Sequence, residues 1–299
     1  MDSNKTTKSR ASLPNPFSPL QSCPIINSHF SVKPMNLTSE FDALSQKGYL
    51  VSRQVINPTI VNQLRDYLVA RLDRLREQFR EWSGGEDVTT DENYRYHSDK
   101  IAEYEAKDLP KDLRHFLRGE FDLETRLSPE IRQLMTDKNL LQVVALALGE
   151  LCFFWHYPPM LRFKIPHANQ ALVPPHQDSA YSYHIEEFVT VWLPFTNITD
   201  EVGGVIFYEG TQDIGKLKHC SSGAWESKAL FDEQNCATHS PTMEPGDVLF
   251  FKPSVVHASG ANISNSNVIR YSIDMRAFSQ TVQSPKSYYN PWSGEVFRK

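Results

Sequence analysis

Hydrophobic residues in the first half of the chain recur at every third or fourth position, which is the period of an α-helix. The longest such stripe follows Asn57-Pro58, a pair suited to the N-cap and first turn of a helix, and it stops before Gly84-Gly85. The members of the stripe are Val61, Leu64, Leu68, Leu72, Leu75 and Phe79. The pattern predicts an amphipathic helix of about six turns that packs against a larger body.

Weaker helical signals lie on both sides of this stripe. Residues 39–47 precede Gly48 and predict a short helix with a glycine cap, and residues 131–148 predict further helix that Gly149 closes. The stretch 86–128 is charged and aromatic without a clear period, so it supports no assignment.

After residue 150 the pattern changes to short runs rich in β-branched and aromatic residues, separated by turn signals such as Pro245-Gly246-Asp247. The predicted strands are Leu151–His156, Met160–Pro166, Phe188–Phe195, Gly204–Tyr208, Asp247–Phe251 and Val268–Phe278. Their connections are too short for crossover helices, which favours antiparallel pairing. Helices followed by strands indicate an α+β chain with a sandwich or barrel core.

Composition narrows the class of protein. The 299 residues are 40% hydrophobic and 22% charged with a formal net charge of -5, which is typical of a globular protein and does not favour nucleic-acid binding. Four scattered cysteines form no CxxC pair, and no apolar run is long enough to span a membrane. We therefore expect a cytoplasmic protein, with residues 1–35 as a flexible arm and residues 36–299 as one domain.

A candidate metal site lies among the predicted strands. In His176-Gln177-Asp178 the first and third side chains point the same way if the backbone is extended, and His257 follows another strand. Two imidazoles and one carboxylate on one face of iron(II) leave its other positions open. An HxD motif alone is weak evidence, but the later histidine places both parts of the set at strand ends.

A basic residue on the last predicted strand fits the same site. Arg270 and Ser272 share one face of that strand, and a guanidinium with a nearby hydroxyl can grip a carboxylate. This arrangement suits the distal carboxylate of 2-oxoglutarate, whose keto-acid end chelates iron. Arg276 lies on the same face and is a rival anchor.

With these residues in place, the chain resembles the phytanoyl-CoA dioxygenase-like family over roughly residues 40–280. The motifs that carry the resemblance are Phe163-Lys164-Ile165-Pro166, Val173-Pro174-Pro175-His176-Gln177-Asp178, Val191-Trp192-Leu193-Pro194, Gly203-Gly204-Val205, Glu209-Gly210-Thr211, Pro245-Gly246-Asp247, His257-Ala258-Ser259-Gly260-Ala261-Asn262 and Arg270-Tyr271-Ser272. Their order and spacing together are specific, whereas each one alone is not.

The resemblance implies a double-stranded β-helix (jelly-roll, cupin-like) core flanked by N-terminal helices. It also implies Fe(II) bound by His176, Asp178 and His257, and 2-oxoglutarate anchored by Arg270. Family members consume O2 and 2-oxoglutarate, release succinate and CO2, and usually hydroxylate an unactivated carbon. Halogenating relatives have Ala or Gly at the carboxylate position, so Asp178 favours hydroxylation, desaturation or a related oxidation.

The sequence departs from the family pattern at two places. The usual Gly-Ser/Thr-His turn reads Gly210-Thr211-Gln212, where a local effect is expected because that histidine is not a ligand. The spacing from His257 to Arg270 is about two residues longer than usual, through the polar segment 264–267. This longer spacing is the reason that Arg276 stays a rival anchor.

Further side chains are candidates for the cosubstrate or substrate pocket. Lys164 either lies on a solvated strand face or reaches a carboxylate in the barrel mouth, Thr190 could bind the cosubstrate, and Trp192 fits a pocket wall. Tyr181, Tyr183 and His184 follow the HxD motif closely and are candidates to line the substrate pocket.

Other functions stay open at this stage. One alternative is a catalytically silent jelly-roll binding module, and another is a desaturase or epoxidase with the same chemistry. A zinc hydrolase is disfavoured because no HExxH motif or adjacent general base is seen. The expected substrate is a small molecule, and the diversity of the family favours one from specialised metabolism. The sequence defines neither its identity nor the oligomeric state.

Overall fold

The computed structural model describes residues 44–168, 172–182, 185, 187–222, 226–282 and 284–298. The predicted flexible arm and the first part of the predicted helix 39–47 lie outside these residues. Within them, residues 44–47 are helical and Gly48 follows with a φ of 82°, as the glycine cap predicts. None of the described helices combines the length and the apolar character needed to cross a bilayer.

The helices come mostly before the strands. They are α1 (Pro58–Ser83), α2 (Asp91–Asp99), α3 (Ile101–Glu105), α4 (Lys111–Leu117), α5 (Leu123–Arg126), α6 (Pro129–Met135), α7 (Lys138–Leu148) and α8 (Asp178–Tyr181). The longest is the helix that the apolar stripe predicts. It begins after Asn57, whose side chain accepts a hydrogen bond from the Thr59 amide, and it ends at left-handed Gly84.

The stretch without a clear period, 86–128, contains four of the short helices. Side-chain caps begin two of them: Thr90 accepts from the Asn93 amide before α2, and Asp122 accepts from the Thr125 amide before α5. These helices are too short to show a hydrophobic period, which explains why the sequence pattern did not reveal them.

Thirteen strands are found among the described residues, and all their pairings are antiparallel. They are β1 (Tyr49–Ser52), β2 (Phe153–His156), β3 (Met160–Lys164), β4 (Phe188–Pro194), β5 (Val205–Tyr208), β6 (His219–Ser222), β7 (Glu226–Ala229), β8 (Thr238–His239), β9 (Val248–Phe251), β10 (His257–Ser259), β11 (Arg270–Ser279), β12 (Tyr288–Tyr289) and β13 (Val296–Phe297). The six predicted strands correspond to β2, β3, β4, β5, β9 and β11.

The major sheet has the order β1-β9-β4-β11-β2-β12-β13, and β3 also pairs with β11. A second sheet has the order β10-β5-β8, and β6 pairs with β7. The first two sheets face each other across a core that includes Trp192, Phe207 and Phe251. This is the double-stranded β-helix that the resemblance implies, with helices on its outside.

Strand β11 shows how the fold separates a core from a site. On one face, Tyr271, Ile273 and Met275 join the apolar cluster that includes α1, α6 and α7. Because side chains alternate along a strand, the polar residues between them point to the inside of the jelly roll. The members of this inner face are Arg270, Ser272, Asp274 and Arg276. The alternation of side chains thus gives β11 an apolar outer face and a polar, charged inner face.

Candidate iron and cosubstrate site

The two histidines of the candidate metal set are paired through their backbones. The His176 amide donates to the His257 carbonyl and the His257 amide donates to the His176 carbonyl, both at 2.9 Å. Residues directly opposite in an antiparallel bridge point their side chains to the same side. The imidazole rings accordingly lie with their centroids 4.2 Å apart.

The orientation of both rings suits metal binding. His176 Nδ1 lies 2.8 Å from the Pro174 carbonyl oxygen, and His257 Nδ1 lies 3.1 Å from that of Val255. A carbonyl can only accept, so each Nδ1 carries a proton, and in the neutral form of the ring this leaves the Nε2 lone pair for a metal. Burial, together with the nearby His176, lowers the pKa of His257 to about 3, which keeps this imidazole neutral.

Asp178 completes the set at the first residue of α8. Its Oδ1 lies 3.6 Å from His176 Nε2 and 4.0 Å from His257 Nε2, and the three donor atoms all lie within 4.8 Å of one another. All three residues are buried. Two imidazole nitrogens and one carboxylate oxygen that converge on one point are the donor set that iron(II) oxygenases use, so these residues fit the metal.

Asp178 is held in place by two further side chains. The Thr190 hydroxyl donates to Oδ2 at 2.5 Å, and Arg276 Nη2 donates to Oδ1 at 2.9 Å. Burial alone would raise the pKa of Asp178, but Arg276 and the two imidazoles hold it well below its usual range. The carboxylate is therefore ionised, and its orientation is set before any metal binds.

Gln177 points away from the metal set, as the alternation of an extended backbone predicts. It is fully buried, and its side-chain amide donates to the carbonyls of Gly215 at 2.8 Å and Ser254 at 2.6 Å. Its Oε1 accepts from the Leu217 amide at 2.8 Å. Gln177 therefore ties the HxD segment to the loops on either side of it.

Arg270 is a buried cation whose hydrogen-bond partners among the described residues are all neutral. Its Nη1 donates to the carbonyl of Gly203 at 2.7 Å, and longer contacts reach the Gly204 and Gly260 carbonyls and the Ser259 hydroxyl at 3.4 Å. No carboxylate of the described residues forms an ion pair with it. Burial, with a smaller effect of Arg162, lowers its pKa to about 9.

Gly203 shapes this pocket because of its backbone. Its φ is 68°, and a Cβ at this position would lie 2.1 Å from the Ala261 carbonyl oxygen. The close approach of the two loops brings the Gly203 carbonyl to the guanidinium of Arg270. The Gly203-Gly204 motif of the sequence thus has a direct role in the site.

Lys164 and Trp192 surround the same guanidinium. Lys164 lies opposite Arg270 in the β3–β11 register, is almost fully buried, and donates to the Ser259 hydroxyl and, at 3.3 Å, to the Gly260 carbonyl. The structure thus places Lys164 inside the jelly roll and not on a solvated face. The Trp192 ring centroid lies 6.0 Å from the Arg270 guanidinium carbon.

A cavity of about 270 Å³ connects the metal set with Arg270. Its lining includes His176, Asp178, His257, Trp192, Tyr181, Ser259, Arg270 and Arg276. The Tyr181 ring lies 5.1 Å from that of His176, as its nearness in sequence suggested. Tyr183 and His184 lie outside the described residues. Ser272 is buried on the same strand face as Arg270 but is not among the lining residues.

Sequence reasoning missed two parts of this site. Ser259 contacts both buried cations, and its position two residues after His257 on a strand was the signal that could have identified it. The contact of Arg276 with Asp178 could not be read from the sequence because it joins residues 98 apart. For Thr190, the structure shows a hydrogen bond to Asp178, and its predicted contact with a cosubstrate stays a prediction.

A double-stranded β-helix with a buried His-Asp-His set and a buried arginine in one cavity is the architecture of the non-haem Fe(II)/2-oxoglutarate-dependent oxygenases. The chain belongs to the phytanoyl-CoA dioxygenase (PhyH) family, whose model matches residues 44–271. The family resemblance of the sequence motifs is thereby confirmed, and Fe(II), 2-oxoglutarate and O2 are the cofactor and cosubstrates of this class.

A curated relative is the 1-deoxypentalenic acid 11-beta-hydroxylase of Streptomyces exfoliatus. It is 31% identical over 133 residues, which cover 40% of this chain. The matched part spans about half of the relative's length, 46%. This likeness supports the family assignment over a part of each protein.

Two solved structures resemble the fold over most of both chains. The non-heme monooxygenase ThoJ has a TM-score of 0.57 at 14% identity, covering 85% of this chain and 83% of that one. The epimerase SnoN, in complex with Fe3+, alpha ketoglutarate and nogalamycin RO, has a TM-score of 0.54 at 15% identity and covers 83% and 86%. At such low identity the likeness shows the fold alone.

Proposed function

We propose that this chain is an Fe(II)/2-oxoglutarate-dependent dioxygenase that hydroxylates an unactivated carbon of a small organic molecule and releases succinate and CO2. One observation carries the proposal: a buried His-Asp-His set and a buried arginine that has no acidic partner among the described residues open into the same cavity. A bidentate keto acid at the metal and a distal carboxylate at the arginine would complete both.

Separate residues would bind the metal and the cosubstrate. His176, Asp178 and His257 would hold Fe(II) on one face, and the bound iron supplies the activation of O2. Arg270 would bind the distal carboxylate of 2-oxoglutarate, with help from Lys164 through their shared hydroxyl partner. Burying a cation without a counter-ion costs free energy. A bound carboxylate would therefore stabilise the buried guanidinium of Arg270 by supplying a negative charge beside it.

Trp192 and Ser259 would support the cosubstrate from the cavity wall. The Trp192 ring faces the guanidinium, and the Ser259 hydroxyl bridges the two cations. The sequence suggested Ser272 as a second hydrogen-bond donor to the carboxylate. In this proposal Ser272 would instead pack beside Arg270 on the same strand face. The choice of Arg270 over Arg276 is supported by their partners, since Arg276 already forms an ion pair with Asp178.

The presence of Asp178 supports oxygenation over halogenation. Its carboxylate would serve as the third protein ligand, which halogenating relatives lack, and Thr190 and Arg276 hold this carboxylate in place. Hydroxylation is the proposed outcome, and desaturation or epoxidation would use the same iron and cosubstrate site.

A role in specialised metabolism is the finer part of the proposal. The named relatives include a 1-deoxypentalenic acid hydroxylase and SnoN, whose complex contains nogalamycin RO. A small-molecule substrate agrees with a cavity of about 270 Å³ that holds both the metal set and the arginine. The composition adds no sign of a nucleic-acid or membrane substrate.

The chelate itself is the first test. Anaerobic addition of Fe(II) and 2-oxoglutarate to the full chain should produce the weak visible charge-transfer band of the keto-acid chelate, and air should then yield succinate even without substrate. His176→Ala should abolish both signals. Thr136→Val, a change at an exposed helix end, should leave them unchanged. Folded, metal-loaded protein that shows no band would refute the proposal.

The same experiment separates the oxygenase from a silent jelly-roll binding module. A silent module that binds 2-oxoglutarate as a ligand would show the band but no succinate that depends on His176. Succinate formed by the wild type and absent from His176→Ala would exclude the silent module.

A further inference from the structure

The cavity has a second polar region, next to the one that Arg270 and Lys164 form. Its inner wall carries Glu120, Arg162, Asp274 and Arg276, which we call the mixed-charge wall. Glu120 forms a β-bridge with Arg162, and Arg162 lies opposite Ser272 in the β3–β11 register. The wall therefore follows the sheet from its edge towards Arg276, which touches the metal ligand Asp178.

Three members of the wall have close partners within the chain. Glu120 contacts His115 Nδ1 at 2.8 Å and Arg162 Nη1 at 3.3 Å, and Arg276 donates to Asp178 at 2.9 Å. Arg162 Nη1 nevertheless makes no directional hydrogen bond within the described residues. The wall thus presents one donor that its acidic neighbour does not fully satisfy.

Asp274 is the least satisfied member of the wall. Its Oδ1 accepts no hydrogen bond from the described residues, and Arg276 Nη2 is 3.9 Å away, while the side chain as a whole keeps 25% of its surface exposed and lines the cavity. Burial raises the pKa of this carboxyl, which Arg276 and Arg162 only partly oppose. A buried acceptor without a donor is costly, and such groups in a binding cavity commonly await a ligand.

The two polar regions of the cavity differ in the charge of the group that they would bind. Arg270 and Lys164 favour the dianion 2-oxoglutarate, whereas the carboxylate of Asp274 repels it. Asp274 and Arg276 are two residues apart on a strand, so their Cα atoms are separated by about 7 Å. A molecule that binds at Asp274 would therefore also lie beside Arg276 and the candidate metal set, which line the same cavity.

Resting on the proposed function, we propose that the substrate is a small polar molecule whose ammonium or hydroxyl group donates to Asp274, beside an acceptor group for Arg162. A fatty acyl chain or an unsubstituted hydrocarbon skeleton would cover both charged groups without providing either partner. Leaving Asp274 and Arg162 without hydrogen-bond partners costs free energy, which is the physical reason why a polar substrate is preferred. Sites built to bind polar groups reject analogues that lack them.

The test uses paired probes and the full chain loaded with Zn(II) and 2-oxoglutarate, so that no turnover occurs. Amino acids and amino alcohols are compared, by ligand-observed NMR titration, with analogues in which a methyl group replaces the amine or the hydroxyl. We expect donor-bearing probes to bind at least about tenfold more tightly than their methyl analogues. Asp274→Leu, which keeps a similar shape without an acceptor oxygen, should remove this preference, and Asp66→Leu, on the exposed side of α1, should keep it.

Equal binding of the paired probes to the wild type overturns the proposal, and so does the absence of any donor-bearing probe that binds in the millimolar range. Calorimetry with 2-oxoglutarate provides a separate readout. Asp274→Leu should bind 2-oxoglutarate as the wild type does, and a loss would assign Asp274 a structural role and overturn the inference. A wild type that binds no 2-oxoglutarate refutes the proposed function instead, and the paired probes are then compared on the Zn(II) protein alone.

Discussion

Thr190 offers a sharp test of how the metal site is organised. Its hydroxyl donates to Asp178 Oδ2 at 2.5 Å, and both residues are buried, Thr190 at 0% and Asp178 at 2% exposure. Thr190→Val keeps the β-branched shape on β4 and removes only the hydrogen bond. The carboxylate then loses one of the two contacts that orient Oδ1 towards the imidazoles.

The size of the effect follows from the kind of bond removed. A hydrogen bond to a charged acceptor is worth roughly 1.5–3 kcal/mol. At about 1.4 kcal/mol per factor of ten, its loss corresponds to a decrease in metal affinity of about 10–100-fold. Substitutions of outer partners of metal ligands produce decreases of about the same size, 10–100-fold.

The assay is a competition titration of Zn(II) or Fe(II) against a chelator of known affinity, under anaerobic conditions for iron. Thr196→Val is the matched control. Its hydroxyl also forms hydrogen bonds, at 3.2 Å to the Ile269 carbonyl and at 3.1 Å from the Tyr271 amide, but it does not touch a ligand. The control should lose stability and keep metal affinity. A Thr190→Val protein that folds and binds metal within about twofold of the wild type would refute the reasoning.

Three further predictions concern the charged groups. Arg276→Gln should destabilise the metal-free protein by about 2–4 kcal/mol, because it leaves the buried Asp178 carboxylate without its cationic partner. Thermal unfolding with and without Zn(II) should show that the metal restores much of the lost stability. Arg270→Lys should weaken 2-oxoglutarate binding by at least about tenfold in calorimetry, because an ammonium cannot form the two-pronged contact, while metal affinity stays the same. Burial alone would raise the pKa of Glu120, but His115 and Arg162 hold it below its ordinary value of 4.5. The stability from Glu120 is therefore complete above pH 4.5 and lost as the pH falls through the lower folded pKa, so Glu120→Gln should flatten the acid side of a pH–stability curve from urea unfolding.

The helical part of the fold shows where sequence patterns succeed. The stripe from Val61 to Phe79 predicts α1 because a helix of many turns repeats its buried face often enough to be recognised. The short helices between 91 and 126 have room for only one or two repeats of a buried face. Their caps depend on single residues such as Thr90 and Asp122. The strands that were missed are mostly short or, like β10, begin at the functional residue itself.

The metal set was predictable because its chemistry is local. Alternation along an extended backbone places His176 and Asp178 on one side of Gln177, and the order of the family motifs relates them to His257. The structure adds the bridge between the two histidines, which no local pattern contains because it pairs residues far apart in the chain.

The sequence by itself therefore determined the members of the candidate metal set, the helical and stranded halves, and the presence of Arg270 and Arg276 on one strand face. Only the tertiary structure decided their partners: Arg276 contacts Asp178, whereas Arg270 contacts backbone carbonyls and the Ser259 hydroxyl. The physical reason is that alternation along a strand sets the direction of a side chain, while its charge balance depends on loops that the fold brings from elsewhere. A buried cation lacks an acidic partner, or gains one, only through those long-range contacts.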